Sequence, residues 1–309
     1  MVNMKKHAGL TIVELMVALA ISLLITLAAV SALVVARRGF DTVDSASQLR
    51  DNMRFSADLI QRLGAQVGYK EPKYLPFNTS IPASTQSASV GGFNNALFQS
   101  ITNFNDVTIK AGQGINGSDI LILRSQGSAG GGVIDCNGRE IAEPTDDEER
   151  SVSVIHLAMS LGELSLMCDS FARSSGETSA STMVQPIIQG VENFQLLYGT
   201  DSDGDSVPDR FLRADQLVVA GNDVATQNNW RRVRSLRIGM VLRGPPNSQQ
   251  EKVAQVFYPF GLAKASASGV VGSALSSASD TGTLFNAPAD GRLRQTMTFT
   301  VHLRNDQSL

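Results

Sequence analysis

Leu10–Ala36, LTIVELMVALAISLLITLAAVSALVVA, is the stretch on which the fold turns. Its twenty-seven residues are apolar except for Thr11, Glu14, Ser22, Thr26 and Ser31. At about 1.5 Å of rise per residue a helix of this length crosses a hydrocarbon core of about 30 Å with turns to spare. The nine residues before it, MVNMKKHAG, are polar and carry Lys5 and Lys6, which favour a cytoplasmic N-terminus. Arg37 and Arg38 follow the run and weaken that bias, with Asp41 and Asp44 close by. A secretory signal peptide has a shorter apolar region with a small-residue cleavage site after it. Here the run is longer, and the polar-to-apolar junction lies before it.

Glu14 separates a plain anchor from something more specific. A carboxylate within an apolar span costs on the order of 2.5–3.5 kcal/mol on insertion scales, so it marks a functional site that needs a cation at its own depth. Residues 10–36 offer no basic side chain. Were the chain cut after Gly9, the new amine of Leu10 would stand four residues before Glu14 and could neutralise Glu14 of a neighbouring helix. The alternative is an ordinary anchor helix with a stray acid.

The run Ala8-Gly9-Leu10-Thr11-Ile12-Val13-Glu14-Leu15 resembles the prepilin signature: a Gly, an apolar first mature residue, and Glu as the fifth residue after the cut. The resemblance implies that a prepilin peptidase cleaves after Gly9 and methylates the amine of Leu10. Phe is usual at the first mature position, so Leu10 is a departure. Three parts are then expected: a leader over 1–9, a transmembrane and assembly helix over 10–36, and a periplasmic domain over 37–309.

Past the membrane, Leu49, Met53, Ala57, Ile60, Leu63 and Val67 recur at three- and four-residue spacing and predict one apolar helix stripe. Gly64, Gly68 and Pro72 are read as its end. Residues 72–118, rich in Pro, Asn, Ser, Thr and Gly, read as a long irregular excursion. Strand patterns follow at 119–124, 151–158, 164–168, 186–198, 233–243 and 295–304. Residues 264–282, rich in Ala, Ser and Gly, read as a surface loop, and Asp146–Glu149 as a solvated acidic turn. The fold class is α+β: a long N-terminal helix, its first half in the membrane, packed on an antiparallel sheet with long loops.

Tyr198-Gly199 followed by the Asp-rich run from Asp201, Asn229-Trp230-Arg231-Arg232-Val233, Arg292-Leu293-Arg294 and Thr300–Asn305 resemble the PilW family of minor pilins. That resemblance implies a low-abundance subunit that primes filament assembly with other minor pilins and the major pilin. It waits in the inner membrane and passes to the filament or its tip, where a pilus-tip adhesin is an implied partner. Adhesion, twitching motility and DNA uptake would follow from the filament. Two alternatives stay open: a type II secretion pseudopilin resembling pseudopilin J, and a calcium-dependent adhesin that borrows the pilin anchor.

Asp201, Asp203, Asp205 and Asp209 stand at positions 1, 3, 5 and 9 of a candidate calcium loop, with the carbonyl of Val207 at position 7. Ser206 replaces the usual Gly at position 6 and Leu212 the usual Glu at position 12, for which Asp215 could substitute. The competing reading is an unliganded acidic turn. Cys136 and Cys168 lack CxxC spacing. Cytosolic, they would be buried thiols. On the oxidising side, where the lysines place them, they are expected to form a disulfide.

The net charge of -3 argues against direct nucleic-acid binding. Gly112–Gly117 matches GxGxxG, but a strand pattern follows it where a dinucleotide site needs a helix. His156 and His302 fall in separate strands, and no GxSxG, HExxH or P-loop occurs, so the chain is not expected to be an enzyme.

Overall fold

In this computed structural model, residues 11–74, 87–249, 251–261 and 284–305 are described. The apolar run and the stripe beyond it form one helix, α1 (Ile12–Gln66). Thr11 starts it: its hydroxyl accepts from the Glu14 N–H, while Thr11 N and Oγ1 both donate to Glu14 Oε2 at 2.9 and 3.0 Å. This capping box satisfies donors that the first turn would otherwise leave open. Residues 11–41 are exposed throughout, and burial begins at Ser45 and continues through Leu49, Met53, Ser56, Ile60 and Leu63. Ser56 rather than the expected Ala57 occupies the buried line, since its hydroxyl returns to the Asn52 carbonyl at 2.8 Å and needs no water.

Gly64 does not end the helix, which runs on to Gln66. A Cβ there would collide with Val301 Cγ1, so Gly64 marks a close approach of helix to strand. Gly68, at φ 76°, is the residue that releases the chain.

Two antiparallel sheets receive the buried stripe. The first contains β1 (Val90–Phe93), β4 (Ile120–Ser125), β5 (Ser151–Ser160), β6 (Glu163–Ala172) and β7 (Ser181–Gln189), in the order β1-β4-β5-β6-β7. The second contains β8 (Val191–Thr200), β9 (Arg210–Leu212), β10 (Val233–Arg243) and β13 (Arg294–His302), in the order β13-β10-β8-β9. Leu121, Leu123, Ile155 and Leu166 of the first sheet meet Phe194, Leu196, Ile238 and Met240 of the second beside the α1 stripe in one core.

The excursion expected at 72–118 contains β1 and a hairpin of β2 (Ala96–Ile101) and β3 (Val107–Ala111). This hairpin covers the other face of the first sheet, where Ile101 packs with Ile120, Ile122, Val152 and Val154. All six residues of β4 are buried because both of its faces are covered. The single strand expected at 186–198 is two strands in different sheets, separated by Gly190 at φ 83°. A third small ribbon joins β11 (Gln255–Phe257) to β12 (Phe285–Ala287). Helices α2 (Ala214–Leu217) and α3 (Asp223–Arg231) connect β9 to β10. The loop expected at 264–282 lies outside the described residues.

A ring of part-buried charge ties the sheets together at one end. Arg294 bonds Glu192 at 2.5 Å and Asp290 at 2.7 Å; Arg243 bonds Glu192 at 3.1 Å and Glu163 at 2.6 Å; Arg292 bonds Glu163 at 3.0 Å. Glu163 opens β6 of the first sheet, and Glu192, Arg243 and Arg294 sit on the second. Three carboxylates face three guanidinium groups, and the two buried ions, Glu192 and Arg294, have the partners that their loss of water requires. The Arg294 guanidinium beside Asp290 holds that carboxyl down at about 2. An acid depressed in the folded state stabilises the fold above its ordinary pKa and ceases to do so as pH falls through the folded value. With the Asp290 side chain 29% exposed, screening limits the effect to about 1–2 kcal/mol. Urea unfolding at stepped pH should show stability falling between about pH 4 and about pH 2, and Asp290→Asn should flatten that window. Parallel profiles for the two proteins would remove Asp290 from this role.

Candidate functional site: the assembly helix and the acidic loop

The sequence-predicted assembly residues sit at the start of α1. Gly9 and Leu10 lie outside the described residues. Glu14 is on the first turn of α1, surrounded by exposed Ile12, Val13, Leu15 and Met16. Both bonds that its carboxylate accepts fall on Oε2, from Thr11. An ionisable group held at the mouth of an unpartnered apolar helix is suited to a contact between helices within a membrane or a bundle. From Ile12 to Phe40 no side chain of α1 is covered by the head, so this surface is made for lipid or for other helices.

The acidic loop lies between β8 and β9. Asp201, Asp203 and Asp209 come together, each with an oxygen within 4.8 Å of the others. The loop curls through left-handed backbone at Gly204 (φ 89°) and Ser206 (φ 67°), which aims amide N–H groups inward. Buried Asp201 accepts from Gly204 N at 2.6 Å and Ser206 N at 3.0 Å, with Arg234 Nε at 3.5 Å. These amides, Gly204 first, hold its carboxyl below the ordinary aspartate value. The Ser202 amide, at 2.6 Å, does the same for Asp209. Asp205 does not join the cluster; it accepts from the Val207 amide at 2.8 Å and forms its own turn. Asp215 pairs with Arg213 at 3.2 Å instead of reaching the loop.

Cys136 and Cys168 are bonded, as expected, joining the loop before Arg139 to β6. His156 is buried: its Nε2 lies 2.7 Å from Asp169 Oδ2, and the Phe98 ring stacks 4.5 Å away. It braces β5 and β6 under the β2–β3 hairpin, while His302 is exposed at the end of β13. Gly112 and the turn Ile115–Gly117 lead into β4, so the glycine pattern serves a turn before a strand. In the acidic turn, Asp146 caps the Glu148 and Glu149 amides and Glu149 pairs with Arg173 at 2.7 Å.

Two family models match the chain. One, described as a prokaryotic N-terminal methylation motif, matches residues 4–30. The other, described as Type IV Pilus-assembly protein W, matches residues 156–305, from the middle of β5 through β13. A solved structure, a type IV-like pilin from Thermus thermophilus, is similar at 16% identity, with a TM-score of 0.38 over 84% of this chain and 98% of that one. No curated protein matches the chain. The exposed apolar helix with its methylation motif, carried by an α+β head, defines a membrane-anchored pilin that later enters a filament. Within that class the head narrows it: its match to the pilus-assembly model, together with the methylation motif, indicates a minor pilin of a type IV pilus. Pilins of this kind are structural subunits, and they engage other pilins and the peptidase that processes the motif.

Proposed function

We propose that this minor pilin primes filament assembly through Glu14, after cleavage behind Gly9 frees the amine of Leu10. The observation that carries the proposal is a carboxylate on the first turn of a helix whose apolar surface has no partner among the described residues. Among the described residues Oε1 of Glu14 takes no bond, so a neighbour's amine can approach it without breaking the Thr11 cap. In an apolar bundle such a pair relieves two costs at once and sets the axial register between subunits. The partners are then the major pilin and other minor pilins, with assembly beginning in the inner membrane and the head in the periplasm. Glu14→Ala should leave the leader processed, as read by mature N-terminal sequencing, and abolish recovery of the protein in sheared filaments. Normal recovery of that variant would refute the pairing. Mature protein beginning at any residue but Leu10 would refute the cleavage.

A second property is proposed for the acidic loop: calcium binding by Asp201, Asp203 and Asp209. The convergence of their oxygens within 4.8 Å supports it. A hard cation takes six to eight oxygens, so three carboxylates leave the rest of the shell to water and predict weak binding, with Kd on the order of 10⁻⁴–10⁻³ M. Calcium titration calorimetry on the full chain in detergent should show one such site, lost in Asp203→Asn and in Asp209→Asn. No heat at millimolar calcium would retire the proposal.

A further inference from the structure

A cleft of about 380 Å³ lies where the head comes down onto α1. It is lined by Arg38, Asp41 and Thr42 of the helix and by Asn247, Gln249 and Lys252 of the segment that follows β10. The segment is fixed. Its Ser248 is buried, donates from Oγ to the Pro245 carbonyl at 2.7 Å and accepts from Leu293 N at 2.8 Å. Gln249 N donates to the Gly291 carbonyl at 3.0 Å. Arg243, at the other side of the turn, is held in the charge ring. Asn247 and Gln249 are therefore presented to the helix by an anchored frame, and Lys252 lines the same cleft.

The depth of this cleft is set by the length of the apolar run. Residues 10–36, at about 1.5 Å each, span roughly 40 Å, which is the thickness of a bilayer including both polar headgroup regions. Arg38 and Asp41 follow two and five residues past the end of the run, about 3 and 8 Å further along the helix, and so stand at the polar surface of the leaflet beneath the head. They also precede Ser45, where the head begins to bury α1. The cleft thus combines cations and a carboxylate at the height where lipid headgroups lie.

We infer that this cleft holds the headgroup of a phosphoethanolamine lipid while the protein waits in the membrane. Arg38 and Lys252 take the phosphate oxygens, and Asp41 takes the primary ammonium. Thr42, Asn247 and Gln249 supply hydrogen bonds around them. A basic surface alone would favour any anionic lipid; a cleft lined by Asp41 as well as by Arg38 and Lys252 matches a headgroup that carries both signs. A trimethylammonium group has no N–H to give Asp41 or an amide oxygen, so phosphocholine fits less well. The inference rests on the membrane-anchored state described above and adds a lipid contact that must be released on entry into the filament.

The test is the full chain in nanodiscs made of equal parts phosphatidylcholine and phosphatidylethanolamine, with the lipids retained on mild extraction counted by native mass spectrometry. Phosphatidylethanolamine should be enriched about fivefold over phosphatidylcholine, the scale of one charged contact at a lipid surface. Asp41→Asn should bring the ratio to parity while some lipid remains bound. Arg38→Gln with Lys252→Gln should lower retention of both lipids. Arg38, Asp41 and Lys252 are exposed, so these variants keep the head's core. Equal retention by the wild type, or enrichment unchanged in every variant, overturns the assignment. Stronger enrichment of phosphatidylglycerol in a parallel mixture also overturns it, leaving only a basic surface. A chain that fails to insert would sink the membrane reading itself, whereas insertion without lipid preference sinks only this inference.

Discussion

Replacing Cys136 and Cys168 together by Ala is expected to lower the unfolding free energy of the head by about 3–4 kcal/mol. The two residues are 32 apart in sequence, and in the chain-entropy account a closed loop of that size removes roughly this much freedom from the unfolded ensemble. The effect acts on the unfolded chain because the folded loop has other anchors. Asp135, fully buried, accepts from Arg139 Nε at 2.9 Å and from Ser170 Oγ at 2.8 Å, and Cys136 N donates to Ser153 Oγ at 3.1 Å. These bonds should keep the loop in place once the covalent link is gone. Ala is the informative replacement, since both positions are buried and a Ser hydroxyl would add an unsatisfied group. For a head of this size the midpoint should fall by about 6–16 °C, and reductant should lower the wild type equally. A double-Ala variant whose midpoint equals that of the wild type would show that the bond contributes nothing. In cells the bond also reports topology, because it forms only if the head reaches an oxidising compartment.

The cysteines were legible because only two exist and the N-terminus assigned their compartment. The same local economy made α1 and most strands readable. One acid in an apolar run stands out by charge alone, and β5, β6, β10 and β13 declare themselves by alternation. The partition into two sheets was not legible. Nothing in residues 186–198 says that the strand must break, except Gly190, whose positive φ becomes meaningful only once β7 and β8 are known to lie in different sheets. The β2–β3 hairpin was hidden by its own composition, since ALFQSI and VTIKA are short and half polar. The charge ring gathers Glu163, Glu192, Arg243, Asp290, Arg292 and Arg294 from well over a hundred residues of chain, and each looks like an ordinary surface ion in isolation. In the acidic loop, odd spacing correctly brought Asp201, Asp203 and Asp209 together. Asp205 escaped because it turned to cap the Val207 amide, a local competitor that the spacing rule ignores.

Asp119 is the residue whose weight sequence reading missed most, and it yields the other large expected effect. It read only as the first residue of the strand pattern at 119–124. It is buried instead, accepting from Asn95 N and from Leu196 N, each at 2.9 Å, while its own amide donates to the Phe194 carbonyl at 2.8 Å. It therefore joins the first sheet to the second at β8, beside the buried Tyr198. Asp119→Ala strands two amide donors and opens a cavity, and should cost about 3–5 kcal/mol in urea unfolding. Burial also pushes the Asp119 carboxyl up to about 7, against those amides. The folded chain then binds a proton between about pH 4 and about pH 7 that the unfolded chain has released. Its contribution is full below the ordinary aspartate value and is lost as pH rises to about 7, by on the order of 3–4 kcal/mol. Asp290 acts with the opposite sign below about pH 4, so these two groups together place maximal stability near pH 4. Asp119→Asn carries no titrating proton; it should be less stable than the wild type at pH 4 and show a flat profile up to pH 7. If the wild type and Asp119→Asn lose stability in parallel across that window, the Asp119 carboxylate is ionised in the fold, and the two amides, not burial, control it.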